Sequence, residues 1–198
     1  MPDVTQVSCS SSVSRETLER LTAFAKLLTE WNKTINLVAP STLAQLWARH
    51  IDDSLKLMPY LAGSEHGVDL GSGAGFPGLI LSIASGIPYT LIEADHRKAS
   101  FLREAIRLTN APAKVHVGRV EEFSLATFSL ITARAFAPLS QLLSISRHLL
   151  GPGSRYLLLK SGNLENELAT AAEFHCFSTL QHPEAGVLEI SLVKDRSS

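Results

Sequence analysis

The chain has little with which to build a covalent framework. Of 198 residues only two are cysteine, Cys9 and Cys176, far apart in sequence, which reads as reduced thiols in a cytoplasmic protein and not as a disulfide scaffold. An excess of charge of one sign is lacking too: 18 Lys and Arg stand against 19 Asp and Glu, for a net charge of −1 and a pI near 6.7. A protein that coats nucleic acid non-specifically needs a basic surface to neutralise phosphates, so any RNA contact here must come from a local patch. Long apolar runs are missing. The longest, near Leu79 to Ile87, is broken by Ser82, Ser85 and Gly86, and is too short for a bilayer span of about 20 residues. Residues 1–14 are Ser-rich and carry neither a basic cluster nor an apolar segment at the start, so no signal peptide is expected and a disordered tail is. Internal repeats and low-complexity segments are absent from the sequence, and no metal site is expected.

What is present is 45% hydrophobic residues, enough for one real core, and one informative stretch: Val68-Asp69-Leu70-Gly71-Ser72-Gly73-Ala74-Gly75-Phe76-Pro77-Gly78. A short apolar strand runs into three alternate glycines and then into a helix-like segment. Glycine is needed where the backbone turns with positive φ and approaches a ligand, and the helix that follows offers free N–H groups. Two cofactors fit this loop. Gly73, Gly75 and Gly78 satisfy the dinucleotide pattern G-x-G-x-x-G, with Glu93 about 20 residues on. Read from Asp69, the same residues look like the S-adenosylmethionine loop of class I methyltransferases.

The pattern around the loop favours the second reading. Leu18, Leu21, Phe24, Ala25, Leu28 and Trp31 keep helical spacing after a candidate N-cap at Ser14, predicting an amphipathic helix over 15–32. Pro40-Ser41 opens a second helix, carried by Leu43, Leu46, Trp47, Ile51, Leu55 and Met58 to about Leu61, so residues 15–62 form a helical region expected to pack on a core spanning 63–198. From Gly67 on, strands at 67–71, 88–93, 114–117, 128–133 and 154–160 alternate with helices at 77–85, 96–109 and 138–149, the mark of a doubly wound parallel sheet. After a helix over 160–172, strands 174–180 and 187–194 are joined by Gln181 to Gly186. That connection is too short for a parallel crossover, so the chain should end in an antiparallel hairpin. An α/β Rossmann-like sheet closed by such a hairpin, with helices ahead of it, looks like a class I methyltransferase and unlike a dinucleotide domain.

Several blocks fall in the order of one family: Trp31-Asn32 with Ile35-Asn36-Leu37, Arg49-His50-Ile51-Asp52-Asp53-Ser54-Leu55, Asp69 to Gly78, Gly118-Arg119-Val120-Glu121-Glu122-Phe123, and Ala133-Arg134-Ala135. The chain resembles the bacterial RsmG (GidB) methyltransferases from about Trp31 to Lys160-Ser161-Gly162. The resemblance implies methyl transfer from S-adenosylmethionine to N7 of a guanine in small-subunit (16S) ribosomal RNA. The implied partner is that RNA or the small ribosomal subunit, with no DNA or membrane, met by a monomer. It places the cofactor on Asp69, Gly71, Gly73, Gly75, Phe76, Glu93, Val120, Glu121 and Arg134. Glu93 stands where the family usually has Asp, at the end of the second strand, where a carboxylate can accept from both ribose hydroxyls. Two other functions remain open at this point, a nicotinamide-dependent oxidoreductase and a non-catalytic ribosome-assembly factor of the same fold.

The acceptor chemistry fits what is missing. Guanine N7 carries a lone pair and no proton, so attack on a sulfonium methyl needs neither a general base nor a covalent intermediate, and positioning supplies most of the rate. No Pro-Cys nucleophile motif occurs, and the place after the fourth strand reads Thr132-Ala133-Arg134-Ala135-Phe136-Ala137-Pro138, not the Asn/Asp-Pro-Pro-aromatic of amino-methylating enzymes. Arg134 is the leading acceptor-side residue, holding guanine O6, a phosphate or the cofactor carboxylate, with Arg119 second. Arg97, Lys98 and Arg103, with spacings that would put several basic residues on one side of a helix, are candidate RNA contacts, as is Lys160. His50 and Asp52 read as bracing the N-terminal helices, and Trp31 and Trp47 as core residues.

Overall fold

A computed structural model describes residues 13–124, 126–160 and 164–192. Residues 1–12 of the tail expected over 1–14, Cys9 among them, and the Ser161-Gly162 element lie outside the described residues.

Helix α1 (Arg15–Trp31) starts at Ser14, whose Oγ accepts from Thr17 N at 3.1 Å, and buries Leu21, Phe24, Ala25 and Leu28 on one face. Those residues pack against α5 (His96–Thr109), with Phe24 and Trp31 meeting the Phe101 ring at 6.0 and 5.8 Å. Arg20 fixes the back of the contact. Its Nε donates to Thr109 O at 2.6 Å, and its terminal nitrogens donate to Ile83 O and Asn110 O at 3.2 and 3.1 Å. Asn32 then turns the chain, its Oδ1 accepting from Leu37 N and Val38 N, both at 2.9 Å.

The single helix predicted over 40–61 is replaced by short pieces: α2 (Pro40–Leu43), a π-turn at Trp47–Ile51, α3 (Asp52–Leu55) and a 3₁₀ turn at Met58–Tyr60. The buried positions explain the break. His50, Ile51 and Asp52 are consecutive and all buried, followed by Ser54 and Leu55, a wider face than one α-helical stripe can turn inward. The wide turn, in which Asp52 N reaches back to Trp47 O, rotates His50 toward the core. Pro59 has no N–H with which to continue an α-helix.

The sheet has seven strands in the order β3-β2-β1-β4-β5-β7-β6: β1 (Gly67–Leu70), β2 (Tyr89–Glu93), β3 (Ala113–Val117), β4 (Phe128–Arg134), β5 (Leu150–Leu159), β6 (Phe177–His182) and β7 (Val187–Leu192). The first five are parallel, and β7 pairs antiparallel with both β5 and β6. The expected class I methyltransferase architecture is therefore the observed one. Helices α1, α4 (Gly78–Ser85) and α5 cover one face of the sheet, and α6 (Leu139–Ser146) with α7 (Leu164–Phe174) cover the other. Boundaries moved at the C-terminal end: α7 runs on through Phe174, and β6 starts at Phe177 and reaches His182. This architecture sends the loops after β1, β2, β3 and β4 to one edge, where strand order reverses between β1 and β4.

Candidate active site

The glycine loop leaves β1 with Gly71, Gly73 and Gly75 all at positive φ, +63°, +55° and +92°. The three do different things. A Cβ on Gly71 would lie 2.2 Å from Phe136 Cδ2, so the loop after β4 packs directly on the glycine backbone. A Cβ on Gly73 would meet nothing but Gly71 O at 3.8 Å, leaving open space above it. At Gly78, the first residue of α4, a Cβ would lie 2.4 Å from Asp69 Cβ, so the helix rests against that side chain.

Asp69 is fully buried under the loop, its Oδ1 accepting from Thr132 Oγ1 at 2.7 Å. Burial pushes its carboxyl up to about 6, against the opposing pull of Thr132, Ser72, the Gly78 N–H and the Arg134 guanidinium. An Asp whose folded pKa exceeds its unfolded one contributes stability that is complete below about pH 4 and lost as pH rises through about 6. The rise from 3.8 to about 6 corresponds to about 3 kcal/mol. Asp69→Asn should remove that decline, so urea denaturation between pH 4 and 7 should give a flatter stability curve for the variant; parallel curves would count against this origin.

Glu93 ends β2 nearly buried, and both its oxygens already accept backbone N–H groups: Oε2 from Gly73 at 2.7 Å and Oε1 from Asp95 at 2.8 Å. The side chain therefore ties the glycine loop to the start of α5, and each carboxylate oxygen keeps a lone pair for a ligand. Asp95 caps α5 through Oδ1, which accepts from Arg97 N and Lys98 N.

Arg134 closes the site on the β4 side. One terminal nitrogen donates to His50 Nδ1 at 2.6 Å, the other to Arg49 O at 3.3 Å, and its Cζ lies 5.1 Å from the centre of the Phe76 ring. Burial lowers the Arg134 pKa, opposed by Asp53 and Asp69. His50 stacks on Phe76 with ring centres 5.1 Å apart, while its Nε2 lies 2.9 Å from Thr42 Oγ1. Phe76 is 5% exposed beneath these two groups and against Phe24, so it is the floor of the Arg134 site and not an open ligand wall. Thus His50, read from sequence as a brace among helices, is a direct partner of Arg134. Nothing in helical spacing shows this, because the π-turn sets its direction.

The other expected residues are more scattered. Arg119 and Glu121 are exposed after β3, and Val120 is 3% exposed in the core beneath them. Three inter-strand steps, about 14 Å, separate β3 from β4, and no described interaction joins Arg119 to Arg134. Arg97, Lys98 and Arg103 do not form one patch: at about 100° per residue they point about 100° or more apart around α5. Arg97 is already engaged, donating to Thr34 O at 2.7 Å. Lys160 is three-quarters or more covered and paired with Glu167 at 2.5 Å, and the same carboxylate accepts from Leu139 N, so this lysine joins β5, α6 and α7. Arg49, which the sequence reading passed over, is exposed on the π-turn beside His50 with no side-chain partner among the described residues.

These features can be set beside known proteins. A family model described as rRNA small subunit methyltransferase G matches residues 17–189. A Ribosomal RNA small subunit methyltransferase G from Gluconobacter oxydans is 51% identical over 166 residues, covering 83% of this chain and 86% of that protein. One of the same name from Granulibacter bethesdensis is 44% identical over 192 residues, covering 94% and 90%. Among solved structures, a putative S-adenosyl-L-methionine-dependent methyltransferase from Methanococcus maripaludis superposes with a TM-score of 0.61 at 14% identity, covering 88% of this chain and 94% of that one, which shows the fold. The glycine loop, the sheet order and these relatives agree, and the chain belongs to the rRNA small subunit methyltransferase G family.

Proposed function

We propose that the protein transfers a methyl group from S-adenosylmethionine to N7 of a guanine in 16S ribosomal RNA. The observation that carries this reading is the open space over Gly73, whose N–H the Glu93 carboxylate holds from the β2 side, in a loop whose Gly71 packs against Phe136 and whose Phe76 lies under Arg134. The residues present suit the cofactor: Gly73 admits close approach of a ligand to the backbone, and Glu93 has acceptor capacity left for ribose hydroxyls. When bound, S-adenosylmethionine supplies an electrophilic methyl group.

The protein's own groups supply binding and orientation. His50 is already accepting from Arg134, and Asp69 lies sealed below the loop, so neither is free to take a proton from an acceptor. That arrangement suits guanine N7, which has no proton to lose. Arg134 uses two of its five N–H groups on His50 and Arg49, and the rest can grip O6 or a phosphate while N7 stays clear. Exposed Arg49, with Arg103 and Lys98, supplies cations for the RNA backbone. Mapping N7-methylated guanines in 16S RNA from cells with and without this protein tests the reading; one modified guanine should disappear without it, and an unchanged map would refute the assignment.

Two further outcomes are expected. Glu93→Gln cannot satisfy both the Gly73 and Asp95 N–H groups, because its amide nitrogen must face one of these donors. Hydrogen bonds to a charged group are worth about 1.5–3 kcal/mol, so affinity for S-adenosylhomocysteine should fall about tenfold or more in calorimetric titration. An unchanged dissociation constant would move the ribose contact to Asp95. Neutralising Arg49, Lys98 and Arg103 together should flatten the salt dependence of RNA binding by roughly 0.7–0.9 of slope for each lost phosphate contact. An unaltered slope would return all three to the role of solvated surface charges.

A further inference from the structure

The geometry assigns His50 and Thr42 as positioning residues: Thr42 holds His50 in the Nε2–H form, so that Nδ1 is always free to accept from Arg134. This rests on the reading of Arg134 as an active-site group and adds the device that fixes its direction.

The argument starts from donors and acceptors. A guanidinium can only donate, so the 2.6 Å contact between Arg134 and His50 Nδ1 requires an unprotonated Nδ1. The proton of a neutral ring then sits on Nε2, which finds Thr42 Oγ1 at 2.9 Å as its acceptor. A histidine facing a guanidinium could otherwise turn an N–H toward it, and the contact would become repulsive. Thr42 removes that option, because its hydroxyl donates to Ala39 O at 2.9 Å and so offers Nε2 only a lone pair on the opposite side of the ring. The charged form is disfavoured as well: burial lowers the His50 pKa to about 4, reinforced by Arg134 and Arg49 and opposed by Asp53. The ring has little freedom to rotate, since it is 9% exposed and stacked on Phe76, the ring that also lies under Arg134. His50, Phe76 and the Arg49 carbonyl thus hold Arg134 from three directions. Two of the three come from the π-turn at Trp47–Ile51, so the N-terminal segment sets the geometry of a residue on β4.

Imidazole ¹⁵N NMR of the full chain reads the tautomer without reference to activity, and should show Nδ1 unprotonated and Nε2 protonated at neutral pH. Thr42→Val, which keeps the shape and removes the acceptor, should bring in the Nδ1–H form and lower kcat. His50→Asn places an amide oxygen near the Nδ1 position and should keep most of kcat. His50→Gln, which has no acceptor there, should lose about tenfold or more in kcat, while its dissociation constant for S-adenosylhomocysteine stays within about twofold of wild type. An Nδ1–H tautomer in the wild type would overturn the assignment, as would equal kcat for the Asn and Gln variants. Should His50→Gln fail to fold, the wild-type tautomer and Thr42→Val decide. Wild-type turnover in Arg134→Ala overturns the active-site reading of Arg134 whatever tautomer His50 shows, so the two failures are distinguishable.

Discussion

A Gly73→Val variant should fold, and should lose about a hundredfold or more in affinity for S-adenosylhomocysteine, a change of about 2.7 kcal/mol. The two halves of this expectation have separate physical origins. At φ +55° a branched residue costs about 1–3 kcal/mol of backbone strain, which lowers the melting temperature without removing the fold. A Cβ there meets no protein atom closer than Gly71 O at 3.8 Å, so the branch beyond it enters the space the ligand needs. The same substitution two residues either way would test something else, because a Cβ on Gly71 would strike Phe136 and one on Gly75 would lie 3.0 Å from Leu79 Cβ. Gly73 is where folding and ligand approach come apart. Calorimetric titration together with thermal unfolding checks both halves, and wild-type affinity in a folded variant would sink the assignment of this loop.

Arg134→Ala should depress methyl transfer at saturating RNA and cofactor by about a hundredfold, the scale seen when one preorganised donor is removed from a reacting site. Part of the loss comes from the donor itself, and part from what it leaves behind: His50 Nδ1 and Arg49 O lose their partner in a half-buried setting. Arg134→Lys should not rescue turnover, since an ammonium cannot reach His50 Nδ1 and Arg49 O with a planar fork and still present N–H groups outward. Single-turnover kinetics separates this defect from weakened RNA binding. Equal turnover for wild type and Arg134→Ala would remove the residue from the active site.

The centre of the sheet was legible in the sequence because β1, β2 and most of β4 are buried on both faces and read as short apolar runs between glycine and proline signals. The short link from Gln181 to Gly186 gave away the antiparallel end, although β6 takes in His182 before the turn. The glycine loop was legible for a related reason: three alternate positive-φ positions leave a compositional trace. The first helix was legible too, with its cap at Ser14, but the stretch over 40–61 was not. Its apolar spacing fits one continuous helix, and only the packing of three consecutive buried residues forces the wide turn that aims His50 at Arg134. Lys160 shows the opposite failure, a basic residue at a strand end whose acidic partner, Glu167, lies on the next helix. Charge alone does not show whether a cation is solvated, paired or waiting for a phosphate.

Arg20 has a meaning for where this protein could be cut. Its guanidinium occupies carbonyls at the far ends of α4 and α5, whose opposite ends start next to the glycine loop and Glu93. Trimming the chain to the sheet and its following helices would strip those carbonyls of their cation and uncover Phe101 at the same time. A minimal catalytic fragment beginning near Gly67 should therefore be unstable, and the first helix cannot be traded for a foreign one as an accessory would be. An exchange of this segment between family members would succeed only if both the three-carbonyl grip and the apolar stripe travelled with it.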